Sequence, residues 1–321
     1  MDKALQTGTD AVPPVVLSAK TAPESRSPWR MALRRFLRHR AAVTGGLILL
    51  GIALYIGIGS VVFSERDANF NDTSIRLQGP SQEYPFGTDS VGRDVLARTV
   101  YGGQISLIIG VFAMLVAITL GTSVGALSGY YGGLVDALLM RLTETMLSIP
   151  NLLILLVMAK FFGGRIPNVE VAGRTFSGSI LVIILIIGFT SWMYLARIVR
   201  SLFLKLKEEE FILAARALGV PNTRIILVHI LPNAMAPIIV AATLGIGAAI
   251  ITEAYISFLG LGVGPPSASW GNMLTGGQRF VERAPWLWFF PSLLIILTVL
   301  SINFLGDGLR DALDPHADKK V

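Results

Sequence analysis

Glu208 to Asn233, EEEFILAARALGVPNTRIILVHILPN, lies between two long apolar runs. It is a water-facing interruption in an otherwise membrane-soluble chain. Three glutamates, Glu208, Glu209 and Glu210, open it, and their charge suits the positive end of a helix dipole. A first short helix is expected to run from there to Gly219, a residue that tolerates the left-handed conformation helix ends favour, with Pro221 just beyond. Ala214, Ala215 and Ala217 leave a smooth surface that another protein could approach closely. Asn222 or Thr223 is placed to cap a second short helix, which Pro232 is expected to end. On the residues alone, two readings stand: a loop that only joins two spans, or a docking element.

Outward from this segment the composition fixes the class. The hydrophobic share is 53% and the charged share 15% over 321 residues, too apolar for an ordinary soluble domain. The expected fold is an all-α polytopic membrane protein of six transmembrane helices, each run near the roughly 20 residues that cross a bilayer. The spans fall at about 41–63, 104–127, 134–162, 179–200, 234–258 and 285–305. Arg141 and Glu144, three apart in span 3, can pair, and a structural ion pair or an interface contact is expected of them. Residues 1–28 form a polar, proline-containing tail expected to be disordered. Residues 29–40 carry arginines among Trp29, Leu33, Phe36 and Leu37 and form a basic interfacial helix. Residues 64–103 are a polar irregular loop on the far side, 104–306 the core, and 307–321 a charged tail. The run after Arg40 is too long for a signal-peptide core, so a retained first span is expected.

Most of the 27 Lys and Arg residues fall in segments that share a side with the termini if six spans are present. The positive-inside rule then puts both termini and 208–233 in the cytoplasm. The chain has no cysteine, which excludes disulfides, thiolate metal sites and thiol catalysis. His39, His229 and His316 are far apart in sequence, so no metal site is expected. There is no G-x-x-x-x-G-K-[ST] loop to cradle a nucleotide and no catalytic signature, so the chain is not expected to be an enzyme.

Four segments resemble one family. Ala214-Ala215-x-x-x-Gly219 followed by Leu231-Pro232 resembles the "EAA" loop of ABC-importer permeases, with Leu213 in place of the family's Glu. Phe86 to Asp94, FGTDSVGRD, is similar to the signature of C-type permeases of peptide and nickel importers. Glu253 to Pro266 with Ser269-Trp270-Gly271, and Gly306 to Pro315 (GDGLRDALDP), resemble two further segments of the same branch. The resemblance implies a type I ABC importer permease fold and a permease subunit for di- or oligopeptides in a prokaryotic inner membrane. It implies that a coupling helix at about 208–220, through Ala214, Ala215, Arg216, Ala217, Leu218 and Gly219, docks on a cytoplasmic ATPase. Implied partners are a B-type permease, two ATPase subunits, an extracytoplasmic substrate-binding protein and membrane lipid, with no nucleic acid. This chain then carries no cofactor, ATP and Mg belonging to the ATPases.

Gly87, Thr88, Asp89, Gly92, Arg93 and Asp94 make up the extracytoplasmic motif, in which Asp94 is placed to cap a helix. Glu253 is expected at the wet outer end of span 5, as a carboxylate bonded to nearby backbone or, alternatively, facing a substrate amine on the pathway. The same machinery could import nickel, glutathione, opines or another small solute. A secondary transporter is the different-class alternative, and it would need midplane ionisable groups that spans 1, 2, 4 and 5 lack.

Overall fold

The computed structural model describes residues 28–171, 174–265 and 267–313. The expected disordered tail, apart from its last residue, and the end of the charged C-terminal tail lie outside them. The chain is helical almost throughout. Helix α1 (Pro28–Arg38) leads into α2 (Arg40–Val62), a short α3 (Glu65–Asn69) and the long α4 (Val95–Tyr131). Next come α5 (Gly133–Ser148) and α6 (Asn151–Phe162), a hairpin of β1 (Val169–Val171) and β2 (Arg174–Phe176), then α7 (Gly178–Leu206) and α8 (Glu210–Ala217). Helix α9 runs over Asn222–Phe258, followed by α10 (Trp270–Gly277) and α11 (Trp286–Leu313). Five helices (α2, α4, α7, α9 and α11) are long and apolar enough to cross a bilayer, and the bent pair α5–α6 makes a sixth crossing if taken as one span.

Four expectations need correction. Span 3 is not one helix: α5 and α6 meet at 84°. Pro150 forces the preceding residue into extended backbone, and Ile149 sits at φ −83°, ψ 130°. Arg141 and Glu144 on α5 are both exposed and form no ion pair among the described residues. The loop over 64–103 ends early, because Asp94 caps a helix that starts at Val95. The helix of span 6 continues through Leu313 instead of stopping before a tail at 307. Gly308 lets that end press against Ala42 and Phe36. His39, whose Nδ1 accepts from the Ala42 N–H at 3.1 Å, turns its Nε2 toward Asp311 at 3.4 Å.

Pro232 does not end a second short helix either. The helix starting at Asn222 widens into a π segment over Ile225–Ile230, where the Leu231 N–H bonds to the Ile226 carbonyl. A π turn before the proline moves the carbonyl its ring would otherwise strike. Asn233 Nδ2 donates to the His229 carbonyl at 2.6 Å, so α9 continues to Phe258.

The core is built on α4 against α7. Gly121, Gly125 and Gly129 recur every four residues, which puts them on one face of α4. A Cβ on Gly125 would sit 2.5 Å from the Ala196 carbonyl oxygen, and one on Gly129 would sit 2.7 Å from that of Arg200. Close backbone approach of this kind is how helices associate where lipid removes the hydrophobic drive between them. In α2, Gly45 is packed in the same way on the Ser301 carbonyl and Gly59 on the Val100 side chain, whereas Gly51 and Gly57 face open space. Gly125→Leu is therefore expected to destabilise the bundle by about 3 kcal/mol, the upper end for overpacking, since backbone cannot yield as a side chain can. The unfolding midpoint of the detergent-purified variant checks this, with Gly57→Leu near wild type as the control.

Candidate functional site

The sequence-predicted residues fall into two groups at opposite ends of α4, whose 37 residues span about 55 Å. At its C-terminal end lies α8. This helix stops as a Schellman motif: Gly219 at φ +77°, its N–H bonded to the Arg216 carbonyl at 3.0 Å, and the Val220 N–H to the Ala215 carbonyl at 3.1 Å. Ile212 is completely buried with Phe203, Ile225, Ile226 and Ile230, so α8 is pinned to the ends of α7 and α9. Tyr130 at the end of α4 donates to Asn222 Oδ1 at 2.7 Å, and the Arg216 guanidinium stands 5.9 Å from the Tyr130 ring centroid. Behind this, Arg200 of α7 grips Asp136 of α5 with two bonds of 2.5 and 2.6 Å, and Ser128 of α4 donates to the same carboxylate.

The six residues of the segment divide by direction. Ala215 is buried against the bundle, on the side of α8 away from solvent. Ala214, Arg216, Ala217, Leu218 and Gly219 are exposed, Leu218 at 83%. Leu213, which replaces the family's Glu, is exposed beside them. An apolar leucine exposed to that degree at the tip of a rigidly held helix marks an unpartnered surface.

At the N-terminal end of α4, FGTDSVGRD folds into a knot. Thr88 is fully buried; its hydroxyl donates to the Ile75 carbonyl and accepts from the Gln78 N–H at 2.9 Å. Trp286 Nε1 donates to the Thr88 carbonyl at 3.1 Å, so this tryptophan clamps the turn. Asp89 Oδ1 accepts from the Val91 and Arg93 N–H groups at 2.9 and 3.0 Å, and its Oδ2 from Arg93 Nε at 2.7 Å. Asp94 caps α4 through the Leu96 N–H at 2.8 Å, and burial pushes its carboxyl above the usual range against that bond. Gly92 takes φ +80° with Asp72 packed against its Cα, where a Cβ would overlap the Asp72 backbone carbonyl. Arg98, which the motif reading missed, is buried below Asp89 with its Nε 3.9 Å from Asp89 Oδ2.

Glu253 is not at a wet span end. It is fully buried between α4, α9 and α10. Ser257 Oγ donates to its Oε1 at 2.7 Å and Ser106 Oγ to its Oε2 at 3.1 Å. Those hydroxyls in turn accept from the Val263 N–H at 3.1 Å and the Trp270 N–H at 3.2 Å. The stretch between spans 5 and 6 holds α10, opened by a reciprocal capping box between Ser269 and Asn272. Ser106 carried no warning in the sequence, because it meets Glu253 only through folding across 147 positions, and the segment holding Trp270 gave no sign of its bond to Ser106. The S-x-x-N of the capping box was a signal that could have found α10.

Comparison with known proteins agrees with this architecture. The family described as "Binding-protein-dependent transport system inner membrane component" matches residues 121–319, and "N-terminal TM domain of oligopeptide transport permease C" matches 27–80. A dipeptide transport system permease protein, DppC, of Alkalihalophilus pseudofirmus is 43% identical over 289 residues, 90% of each chain. The oligopeptide transport system permease protein OppC of Escherichia coli K12 is 42% identical over 300 residues, 93% of this chain and 94% of its own. The OppC of Haemophilus influenzae is 41% identical over 296 residues. Among solved structures, the inward-facing MetNI methionine ABC transporter aligns with TM-score 0.52 at 19% identity over 67% of this chain and 96% of that chain, a likeness of fold. The chain belongs to the family of inner-membrane components of binding-protein-dependent transport systems, as a permease protein with the type I ABC importer fold.

Proposed function

We propose that this chain is the C-type permease of an ATP-driven importer of di- or oligopeptides. The observation that carries the substrate class is the 41–43% identity, across nine-tenths of the chain, to permeases named for dipeptide and oligopeptide transport. In this reading a B-type permease supplies the other half of the pathway. Two separate ATPases bind ATP and Mg, and an extracytoplasmic binding protein delivers substrate. The chain itself performs no catalysis. It sits in the inner membrane with its termini and α8 in the cytoplasm, as the distribution of basic residues favours.

The rigid attachment of α8 supports a coupling role. A push on Leu218 and Ala217 reaches α7 and α9 through Ile212, and α4 through the Tyr130–Asn222 bond. Because α4 spans the bundle, displacement at that end is carried to the FGTDSVGRD knot about 55 Å away. A bundle with two packings then shifts when the ATPases bind one packing more tightly than the other.

The test is transport by the complete reconstituted system with its binding protein. Labelled di- and tripeptides are expected to accumulate only with ATP and the binding protein present. Uptake of a nickel chelate or glutathione but not peptide would move the substrate to another small solute. Uptake driven by an ion gradient without ATP would move the chain to the secondary-transporter class.

A further inference from the structure

We infer that the FGTDSVGRD knot encloses a binding site for a small monovalent anion of the size and hardness of chloride. The site is a cavity of about 40 Å³ between the start of α4, the Asp89–Arg93 turn and α10, lined by Asp89, Ser90, Arg93, Arg98 and Asn272 and closed by Met273 and Leu287. That volume exceeds the roughly 10–15 Å³ one water-sized occupant needs and is far below what a peptide or a large organic anion requires.

Charge accounting points to an anion. Arg98 is a guanidinium with a side chain only 7% exposed. Its Nη1 donates to the Ala68 carbonyl at 3.3 Å and to Asn69 Oδ1 at 3.4 Å, both long bonds. A guanidinium has five N–H donors, and among the described residues the remaining three have no acceptor within hydrogen-bond distance. Arg93 is the second cation, using only its Nε on Asp89. Asp89 is the one carboxylate within ion-pair reach of either guanidinium among the described residues. Its oxygens already serve Val91, Arg93 N–H and Arg93 Nε.

The neighbouring acids are committed elsewhere: Asp94 to the Leu96 N–H, Asp72 to Ser74, and Asp67 to Ser64. Asn272 cannot help, because its amide donates to the Val263 and Ser267 carbonyls and its oxygen accepts from the Ser269 N–H. Buried Arg98 and half-buried Arg93 therefore share one carboxylate, which already accepts three hydrogen bonds. A buried charge without a counter-charge is among the least favourable arrangements a protein can hold. An anion in the cavity supplies the missing charge and accepts from the idle donors, with the Ser90 hydroxyl as a further ligand.

The test uses the full chain, purified with its partner subunits, at constant ionic strength. The unfolding midpoint is expected to rise by a few degrees, saturably, as gluconate is exchanged for chloride or bromide, because a ligand that binds only the folded state stabilises it. Gluconate is too large to enter. Ser90→Asp places a tethered carboxylate at the cavity and is expected to abolish the halide response while lifting the midpoint in gluconate. Arg98→Gln is expected to abolish the response as well, and Ser90→Asp carries the test if that variant does not fold. Bromide density between Arg93 and Arg98 would complete the assignment. A wild-type midpoint indifferent to the exchange would mean the cavity holds water only, and an undiminished halide response in Ser90→Asp would place the anion elsewhere; either overturns the proposal.

Discussion

Leu218→Asp is expected to lower ATP-dependent uptake at least tenfold while leaving the chain folded and inserted. The side chain is 83% exposed in the isolated chain and makes no core contact, so the change is worth no more than about 0.5 kcal/mol of fold stability. If α8 docks in an ATPase groove, the same leucine becomes an apolar anchor. Losing a buried anchor costs about 2 kcal/mol or more of binding, and desolvating a carboxylate adds to that. At 1.4 kcal/mol per decade the loss exceeds tenfold. The readouts are peptide uptake, ATPase activity and co-purification of the ATPases. Ala215→Arg makes the contrast: Ala215 faces inward, so that variant disturbs the seating of α8 itself and lowers the unfolding midpoint as well as uptake. Leu218→Asp with wild-type uptake would remove the docking role from this face.

Glu253→Ala is expected to destabilise the chain by about 2–5 kcal/mol, the scale for truncating a large buried side chain and leaving its hydrogen-bond donors unsatisfied. The proton directions explain why. Ser257 Oγ and Ser106 Oγ each accept a backbone N–H, from Val263 and Trp270, so the single proton of each hydroxyl points at Glu253. Two loop amides thus reach one side chain through two hydroxyl relays. Alanine leaves both hydroxyls without an acceptor and a cavity among completely buried groups. Glu253→Gln keeps the shape but turns an N–H₂ toward one of the hydroxyls, whose own proton then loses its acceptor, for an expected loss of about 1–3 kcal/mol. The predicted order of unfolding midpoints is wild type, then Gln, then Ala. Protease cleavage should appear first between Leu259 and Ser269, the segment these bonds fasten. Equal midpoints for all three would show that the network contributes nothing.

How much of this was visible beforehand depends on the range of the interactions. Local signals were legible. A glycine followed by a proline marked the end of α8, and Asp94 before an apolar run marked the cap of α4. The 23-residue run after Arg40 became α2 with almost the expected ends. Hydropathy misled where backbone torsion decided the outcome. Leu134 to Phe162 is apolar enough on average to be taken for one span, yet Ile149-Pro150 bends it, because a transfer scale counts residues and not dihedral angles. At Pro232 the error ran the other way: a stop was expected, and the π turn over Ile225–Ile230 absorbed the proline. Burial at Glu253 and Arg98 was out of reach. Whether a carboxylate near a span end meets water depends on α10 folding back over it, and Arg98 is enclosed by Ala68 and Asn69 from 30 positions earlier.

The chain has no cysteine, so Leu218→Cys introduces a single thiol at the tip of α8. Cross-linking of that thiol to the ATPase in the assembled transporter tests the coupling claim most directly. The account predicts a permease–ATPase adduct whose yield changes with bound nucleotide, and no labelling by an impermeant thiol reagent added from outside the cell. A thiol that labels from outside, or that never links to the ATPase in any nucleotide state, would contradict it.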